Sequence, residues 1–150
     1  SRGFMTDLSK VRRNETSPLV YHKTLNYGDC VLEKRAAAAA GINEKIFINT
    51  KGQISEGTVC NVFFVRKNMI YTPQLSCGLL PGILREYIME RFQVTETIIY
   101  PDELMYYEEC FVTNSLMGVM PVRQLGNICF PHRAKADEVR EVYEKEKMSL

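Results

Sequence analysis

The sequence predicts a mixed α/β (α+β) domain that is rich in strands in its middle and flanked by helices. Three features support this fold class: an alanine-rich run before Gly41, a series of short β-branched and aromatic segments between turn residues, and a charged C-terminal segment with periodic apolar residues. With 150 residues, 45% hydrophobic and 25% charged, the chain has the size and composition of one globular domain.

The first half of the chain predicts one helix followed by short strands. Residues Leu25 to Ala40 favour a helix, and Gly41 follows at the position where a helix end favours a left-handed residue. The next segments are rich in Ile, Val, Phe and Tyr and are separated by turn residues, which predicts a strand and then a hairpin. These predicted strands are Lys45 to Asn49, Asn61 to Arg66 and Met69 to Thr72.

The second half contains the clearest helix start in the chain, Pro81-Gly82. Proline suits the first turn of a helix, and the apolar positions 84, 87, 88 and 92 then follow helical spacing. Strands are predicted at Val94 to Tyr100, Cys110 to Thr113 and Val119 to Val122, with a short helical turn at Pro101 to Leu104 and a terminal amphipathic helix at Ala134 to Lys147.

The composition argues against several functional classes. Nineteen Lys and Arg against 18 Asp and Glu give a net charge of +1, which leaves no field to attract nucleic acid or an anionic membrane. No apolar run approaches the roughly 20 residues that cross a bilayer, and the first residues lack the apolar core of an export signal. The five cysteines form no CxxC pair and the two histidines stand alone, so we expect a cytoplasmic protein with reduced, buried thiols and no metal site.

Three short segments carry polar groups suited to binding. Leu79 to Leu84 forms a tight turn into a helix, whose free N–H groups and positive dipole end suit a phosphate. Glu56 lies between two strand-like segments and offers a carboxylate for a cationic ring nitrogen, while Thr113-Asn114-Ser115 offers donors at a strand end. On local chemistry alone, an ordinary helix start, a turn and a loop that bonds its own backbone are the more frequent explanations.

Two groups of cations are also ambiguous when taken singly. Lys23 stands just before a predicted helix, where most lysines are solvated surface charges rather than catalytic groups. Lys10, Arg12 and Arg13 form a short basic patch without aromatic or glycine-rich context, which is typical of a solvated strand end.

Four segments in one order resemble the class IV aminotransferase family. They are Tyr21-His22-Lys23-Thr24-Leu25-Asn26-Tyr27, Ile54-Ser55-Glu56-Gly57-Thr58-Val59-Cys60-Asn61-Val62-Phe63, Leu79-Leu80-Pro81-Gly82-Ile83-Leu84-Arg85, and Thr113-Asn114-Ser115-Leu116-Met117-Gly118-Val119-Met120-Pro121-Val122. The similarity extends from about Arg13 to Pro131. The family includes branched-chain aminotransferases, D-amino acid aminotransferases and 4-amino-4-deoxychorismate lyases.

The resemblance implies a domain organisation and partners. Residues 1–150 would form the larger, C-terminal, cofactor-binding domain of the D-amino acid aminotransferase-like fold. The family's smaller N-terminal domain, of roughly a hundred residues, is absent from this chain and would supply an arginine to the cofactor phosphate. The resemblance further implies pyridoxal 5′-phosphate (PLP) as cofactor, a small amino substrate and a homodimer. We therefore expect the isolated chain to be inactive.

Catalytic roles also follow from the resemblance. Lys23 matches the lysine that holds PLP as a Schiff base, and Glu56 matches the carboxylate that pairs with the pyridine nitrogen. A carboxylate at that place keeps the nitrogen protonated, which favours the ring as an electron acceptor. Tyr27 resembles the tyrosine that bonds the phenolic oxygen of the cofactor, although its spacing from Lys23 is one residue shorter than in the family.

The remaining cofactor contacts are implied by the last two segments. Leu80 matches an apolar side chain on the ring face, and the backbone N–H groups of Ile83 and Leu84 match the phosphate cradle. Leu84 replaces a threonine common in the family, so a hydroxyl is missing there. Asn114 and Ser115 fall in the loop that contacts the cofactor, and Ser115 matches a residue whose hydroxyl reaches the phosphate.

The type of reaction depends on residues 114–120. This segment resembles the lyase branch most, and Leu116 and Met117 would contact the substrate. We therefore expect a 4-amino-4-deoxychorismate lyase, which releases pyruvate and forms the folate precursor 4-aminobenzoate, with Lys23 as nucleophile and then base. The alternatives are a branched-chain or D-amino acid aminotransferase and, from another class, a non-catalytic remnant that keeps the fold.

Overall fold

A single mixed sheet organises the molecule. The computed structural model describes residues 3–17 and 27–148, and it places the side chains of all of these except 27–29. The strands are β1 (Phe4–Arg13), β2 (Glu44–Asn49), β3 (Ile54–Gly57), β4 (Asn61–Arg66), β5 (Met69–Pro73), β6 (Val94–Thr97), β7 (Glu109–Asn114), β8 (Gly118–Leu125) and β9 (Ile128–Cys129). The helices are α1 (Tyr27–Ala39), α2 (Ile83–Arg91) and α3 (Ala134–Met148), with 3₁₀ helices at Leu75–Cys77 and Pro101–Tyr106.

The strand order within the described ranges is β3-β2-β1-β8-β7-β4-β5-β6, with β9 paired to β8. β1 runs parallel to β2 and to β8, and β5 runs parallel to β6, whereas the other pairs are antiparallel. The sheet curls, because the Ile54 N–H of β3 donates to the Ile99 carbonyl beyond β6 at 2.8 Å, joining its two ends. The mixed α/β, strand-rich prediction is confirmed.

Apolar side chains pack on both faces of this sheet. β4 alternates strictly: Val62 and Phe64 join a core with residues of β2 and β3, whereas Phe63 and Val65 face α2 and α3. Phe63 stacks on Phe111 of β7 with ring centroids 4.9 Å apart. Such alternation follows from the two-residue period of a strand. Burial on both faces explains why β4 is almost continuously hydrophobic.

The predicted helices and turns are confirmed where the spacing of apolar residues and the turn-forming residues indicate the same boundary. α1 ends just before Gly41, which has the left-handed φ of 74°, and the hairpin turn at Lys67-Asn68 has φ values of 51° and 66°. α2 begins directly after Pro81-Gly82. The strand predicted over Val94 to Tyr100 is shorter, since β6 ends at Thr97.

Two strands were missed by the sequence analysis because their buried side chains are polar. β1 was not expected, yet it lies between β2 and β8 and buries Thr6, Ser9 and Arg13. The segment around Glu56, which local chemistry assigned to a turn, is strand β3 with all four of its residues buried. A strand whose buried side chains are polar carries no apolar alternation, so neither could be recognised by period.

The cysteines follow the expectation in part. All five are free thiols; Cys60, Cys77 and Cys110 are buried as predicted, whereas Cys129 is exposed. Within residues 3–17 and 27–148, none of the helices combines the length and apolarity needed to cross a bilayer.

Candidate active site

A cavity of about 800 Å³ opens where β3, β7 and the start of α2 meet. Its wall contains many of the predicted site residues: Glu56, Leu80, Ile83, Leu84, Asn114, Ser115 and Leu116. Met117 instead packs against the apolar core, so its role in substrate binding remains a prediction. Lys23 lies outside the described residues, and so does the side chain of Tyr27.

Glu56 is the central carboxylate of this cavity. It is 7% exposed; its Oε1 accepts a hydrogen bond from the Leu80 N–H at 3.1 Å, and its Oε2 lies 3.4 Å from the Arg13 Nη2. Burial raises the pKa of Glu56 to about 7, while Arg13 and the Leu80 N–H act in the lowering direction and Glu44 in the raising direction. Glu56 therefore changes its charge near neutral pH.

The prediction that Lys10, Arg12 and Arg13 form a solvated basic patch is wrong for Arg13. Lys10 and Arg12 are exposed, but Arg13 is only 4% exposed. Its guanidinium lies over the Phe47 ring at 4.3 Å, and its Nη2 donates to the Cys30 Sγ at 3.2 Å as well as pairing with Glu56. Among the described residues, its Nε and Nη1 have no hydrogen-bond acceptor. No residue near Arg13 in the sequence signalled this burial.

A second buried carboxylate, Glu44, holds the turn between β3 and β4. Its Oε1 accepts hydrogen bonds from the Thr58 hydroxyl at 2.5 Å and from the Thr58 N–H at 3.2 Å. Its Oε2 accepts from the Cys60 thiol at 3.3 Å. Thr58 and Cys60 both line the cavity. The hydrogen bonds from these two residues to Glu44 therefore hold this part of the cavity wall in place. Sequence reasoning did not single out Glu44.

The start of α2 forms the opposite wall. Gly82 precedes the helix without a side-chain cap, and Asn61 clamps it by donating to the Leu80 carbonyl at 2.9 Å and accepting from the Gly82 N–H at 3.1 Å. A Cβ at Gly82 would lie 2.6 Å from the Asn61 Oδ1, so the close approach needs glycine. The side chain of Leu84 packs into the core, and Leu84 also lines the cavity.

The loop after β7 closes the third side. Asn114 donates to the Val59 carbonyl at 3.0 Å and accepts from the Leu116 and Met117 N–H groups, so its side chain holds the loop in place. Ser115 is exposed on this loop. Thr113 lines the same cavity, and its buried hydroxyl has no hydrogen-bond partner in the described part of the chain.

A metal does not explain these groups. Across the described residues, no cluster of three or more His, Cys, Asp or Glu side chains is arranged to hold a metal ion. The polar groups of the cavity are one carboxylate that pairs with a guanidinium, the cations Lys34 and Arg35, and the amides and hydroxyls of the helix start and the neighbouring loops. Such a set suits a ligand that carries a cationic nitrogen at one end and an anion at the other.

The chain belongs to the class IV aminotransferase family, whose model matches residues 5–125. This range contains Glu56, Gly82 and Thr113, and the family consists of PLP-dependent enzymes. A relative from Thermotoga maritima, named "Probable branched-chain-amino-acid aminotransferase", is 32% identical over 136 residues, which are 85% of this chain and 48% of the relative.

Solved structures agree with this membership. A protein of Legionella pneumophila, named as a candidate 4-amino-4-deoxychorismate lyase, is 28% identical with a TM-score of 0.88, over 97% of this chain and 56% of that chain. The branched-chain amino acid aminotransferase of Thermobaculum terrenum, solved in its PLP form, is 26% identical with a TM-score of 0.80, over 93% and 50%. The chain thus spans about half the length of these relatives.

Proposed function

We propose that this chain is the cofactor-binding domain of a PLP-dependent lyase or aminotransferase. The observation that carries the proposal is the buried Glu56 carboxylate, held at the cavity wall by the Leu80 N–H while its pKa lies at about 7. A buried carboxylate that faces a cavity is a natural partner for a pyridinium nitrogen, since each charge stabilises the other in a dry site.

The phosphate end of PLP also fits the residues present. The start of α2 has no side-chain cap, Ile83 and Leu84 line the cavity, and the Thr113 hydroxyl without a partner among the described residues lies in the same wall; the first N–H groups of a helix suit an anion. We assign the phosphate to these amides and to Ser115. Leu80 would cover the face of the ring, and Asn114 would hold the loop that carries Ser115.

Lys23 would provide the covalent attachment, with Tyr27 at the phenolic oxygen. In the sequence, Lys23 stands between Arg13 and Cys30, and both of these line the cavity. When bound, PLP supplies an electron sink for the charge left by bond cleavage at the amine-bearing carbon. Glu56 would keep the ring nitrogen protonated, and the Lys23 amine would accept the proton from that carbon.

The reaction we favour is that of a 4-amino-4-deoxychorismate lyase. Support comes from the segment Asn114 to Met120, which resembles the lyase branch, and from the likeness to the Legionella protein. A branched-chain aminotransferase is the second candidate, favoured by the Thermotoga relative. A D-amino acid aminotransferase and a non-catalytic remnant are the further alternatives; dimer formation and cytoplasmic location also remain predictions.

Parallel assays of the full-length protein test these candidates. After addition of PLP, visible absorbance would report covalent cofactor binding. Release of pyruvate and 4-aminobenzoate from aminodeoxychorismate would support the lyase, whereas glutamate formation from a branched-chain amino acid and 2-oxoglutarate would support the aminotransferase. Bound PLP without turnover of either substrate, or of D-amino acids, would contradict both enzymatic proposals and favour the remnant.

A further inference from the structure

We propose that Arg13 is a positioning residue whose guanidinium favours the ionised form of the Glu56 carboxylate and directs this carboxylate into the cavity. This inference rests on the proposed role of Glu56 as the partner of the cofactor nitrogen. Arg13 would not contact the substrate or the reacting atoms. It would act through Glu56 alone, from its position at the C-terminal end of β1.

The position of Arg13 is fixed independently of Glu56. Arg13 pairs with Asn49 at the end of the parallel β1–β2 ladder. Its guanidinium carbon lies 4.3 Å from the centroid of the Phe47 ring, and Phe47 is itself fully buried. A stacked, buried guanidinium has few alternative rotamers and cannot be deprotonated. It therefore presents a constant positive charge at a constant place.

The groups around Glu56 determine how strongly the Arg13 charge affects the ionisation of this carboxylate. The titratable and charged groups that face it are Arg13 on β1, Glu44 on β2, Cys60 in the turn before β4, and Cys30, Lys34 and Arg35 on α1. Burial and the nearby Glu44 both favour the neutral acid. Among the described residues, Arg13 is the cation that forms an ion pair with Glu56. Desolvation already outweighs this pairing and raises the pKa of Glu56 to about 7, so loss of the Arg13 charge would shift the balance further toward the neutral acid.

The pairing still leaves Glu56 able to bind a ligand. An ionised carboxylate has about four acceptor positions. Oε1 accepts from the Leu80 N–H, and Oε2 pairs with the Arg13 Nη2. One acceptor position on each oxygen is then free for a ring N–H. Arg13 and Leu80 together prevent the carboxyl group from rotating away from the cavity wall.

The test is the titration of Glu56 in the full-length protein before PLP is added. Glutamate labelled with ¹³C at the δ-carbon would be followed by NMR, with Glu56→Gln to assign the signal. Arg13→Met should raise the pKa of Glu56 by about 1–3 units, whereas Arg13→Lys should restore much of the difference. Arg12→Met, an exposed neighbour on the same strand, serves as the matched control and should leave the pKa of Glu56 unchanged.

A purely structural role for Arg13 would give the opposite sign. If the substitution only loosened the site, water would reach Glu56 and its pKa would fall toward the ordinary value of 4.5. A fall or an unchanged pKa in folded Arg13→Met would overturn the inference. Arg13→Gln, which is neutral but can still donate to Glu56, provides the same comparison where the methionine variant does not fold. Failure of the parent protein to bind PLP would instead refute the proposed function.

Discussion

Glu56 couples the chemistry of the cavity to the stability of the folded chain. Its pKa is about 7 in the folded protein and about 4.5 in the unfolded chain. Between these values the folded state holds a proton that the unfolded state has lost, so the stability falls as pH rises through this window. The shift corresponds to roughly 3 kcal/mol, which is a large part of the stability of an ordinary domain.

The first prediction concerns this pH dependence. We expect Glu56→Gln to remove most of a fall of about 3 kcal/mol in the free energy of unfolding between pH 5 and pH 8, because glutamine does not titrate. Urea denaturation at several pH values would measure it, with the exposed Glu90→Gln as control. Equal pH profiles for the parent and Glu56→Gln would show that Glu56 titrates normally.

A second buried carboxylate, Glu44, contributes to the free energy of unfolding through hydrogen bonds. It is 1% exposed and accepts from the hydroxyl, thiol and amide groups of the turn between β3 and β4. Glutamine at this position would direct an NH₂ group at one of these donors. We expect Glu44→Gln to lower the free energy of unfolding by about 1–3 kcal/mol, measured by urea denaturation at pH 7. A loss below the error of the method would mean that the turn holds without this carboxylate.

The elements of the chain could be predicted to very different degrees. β4 and β7 were recognisable because Val and Phe lie on both of their faces, and α2 because Pro81-Gly82 precedes a helical period. β1 and β3 were not recognisable from residue pattern, since their buried faces carry Thr6, Ser9, Arg13 and Glu56. These polar strands are the ones that build the candidate site, where function requires buried charge.

The candidate site was therefore predictable only through the family resemblance. That resemblance located Glu56, Leu80 and Asn114 on the cavity wall, as the structure has them. It did not indicate Arg13 or Glu44, whose roles depend on contacts between strands that are distant in the sequence. Long-range pairing of this kind leaves no local signal in the residues.

The junction between β4 and α2 gives a prediction at the scale of elements. Gly82 has φ −71°, which any residue can adopt, so among the described residues a side chain there would clash with the Asn61 Oδ1, 2.6 Å from the Cβ position. We expect Gly82→Ala to cost about 1–3 kcal/mol of stability, as overpacking does. In the Asn61→Ala background the same change should cost clearly less, because the clash is gone. Urea denaturation of the four proteins of this double-mutant cycle provides the measurement, and additive effects would contradict the steric explanation.

At the scale of the whole molecule, the cavity depends on elements from both halves of the chain. β1 and α1 contribute Arg13 and Cys30, β3 contributes Glu56, and the loop after β7 contributes Asn114. At its mouth, Ile83 and Leu116 are 82% and 95% exposed. These relatives are about twice as long as this chain, and the proposed domain organisation would place the family's smaller domain over this mouth.

The last prediction asks which lysine this assembly uses for PLP. Two lysines compete: Lys23, which stands in the sequence between the cavity residues Arg13 and Cys30, and Lys34, which lines the cavity itself. The Lys34 side chain is exposed and its Nζ donates to the Asn43 carbonyl at 2.7 Å, so solvent and this hydrogen bond compete with attack on the cofactor. We expect borohydride reduction of the PLP-loaded full-length protein to fix the cofactor to Lys23, as peptide mass mapping would detect. Lys23→Arg should abolish the labelled peptide and Lys34→Arg should retain it; label on Lys34 in the parent protein would move the covalent site to α1 and refute the assignment.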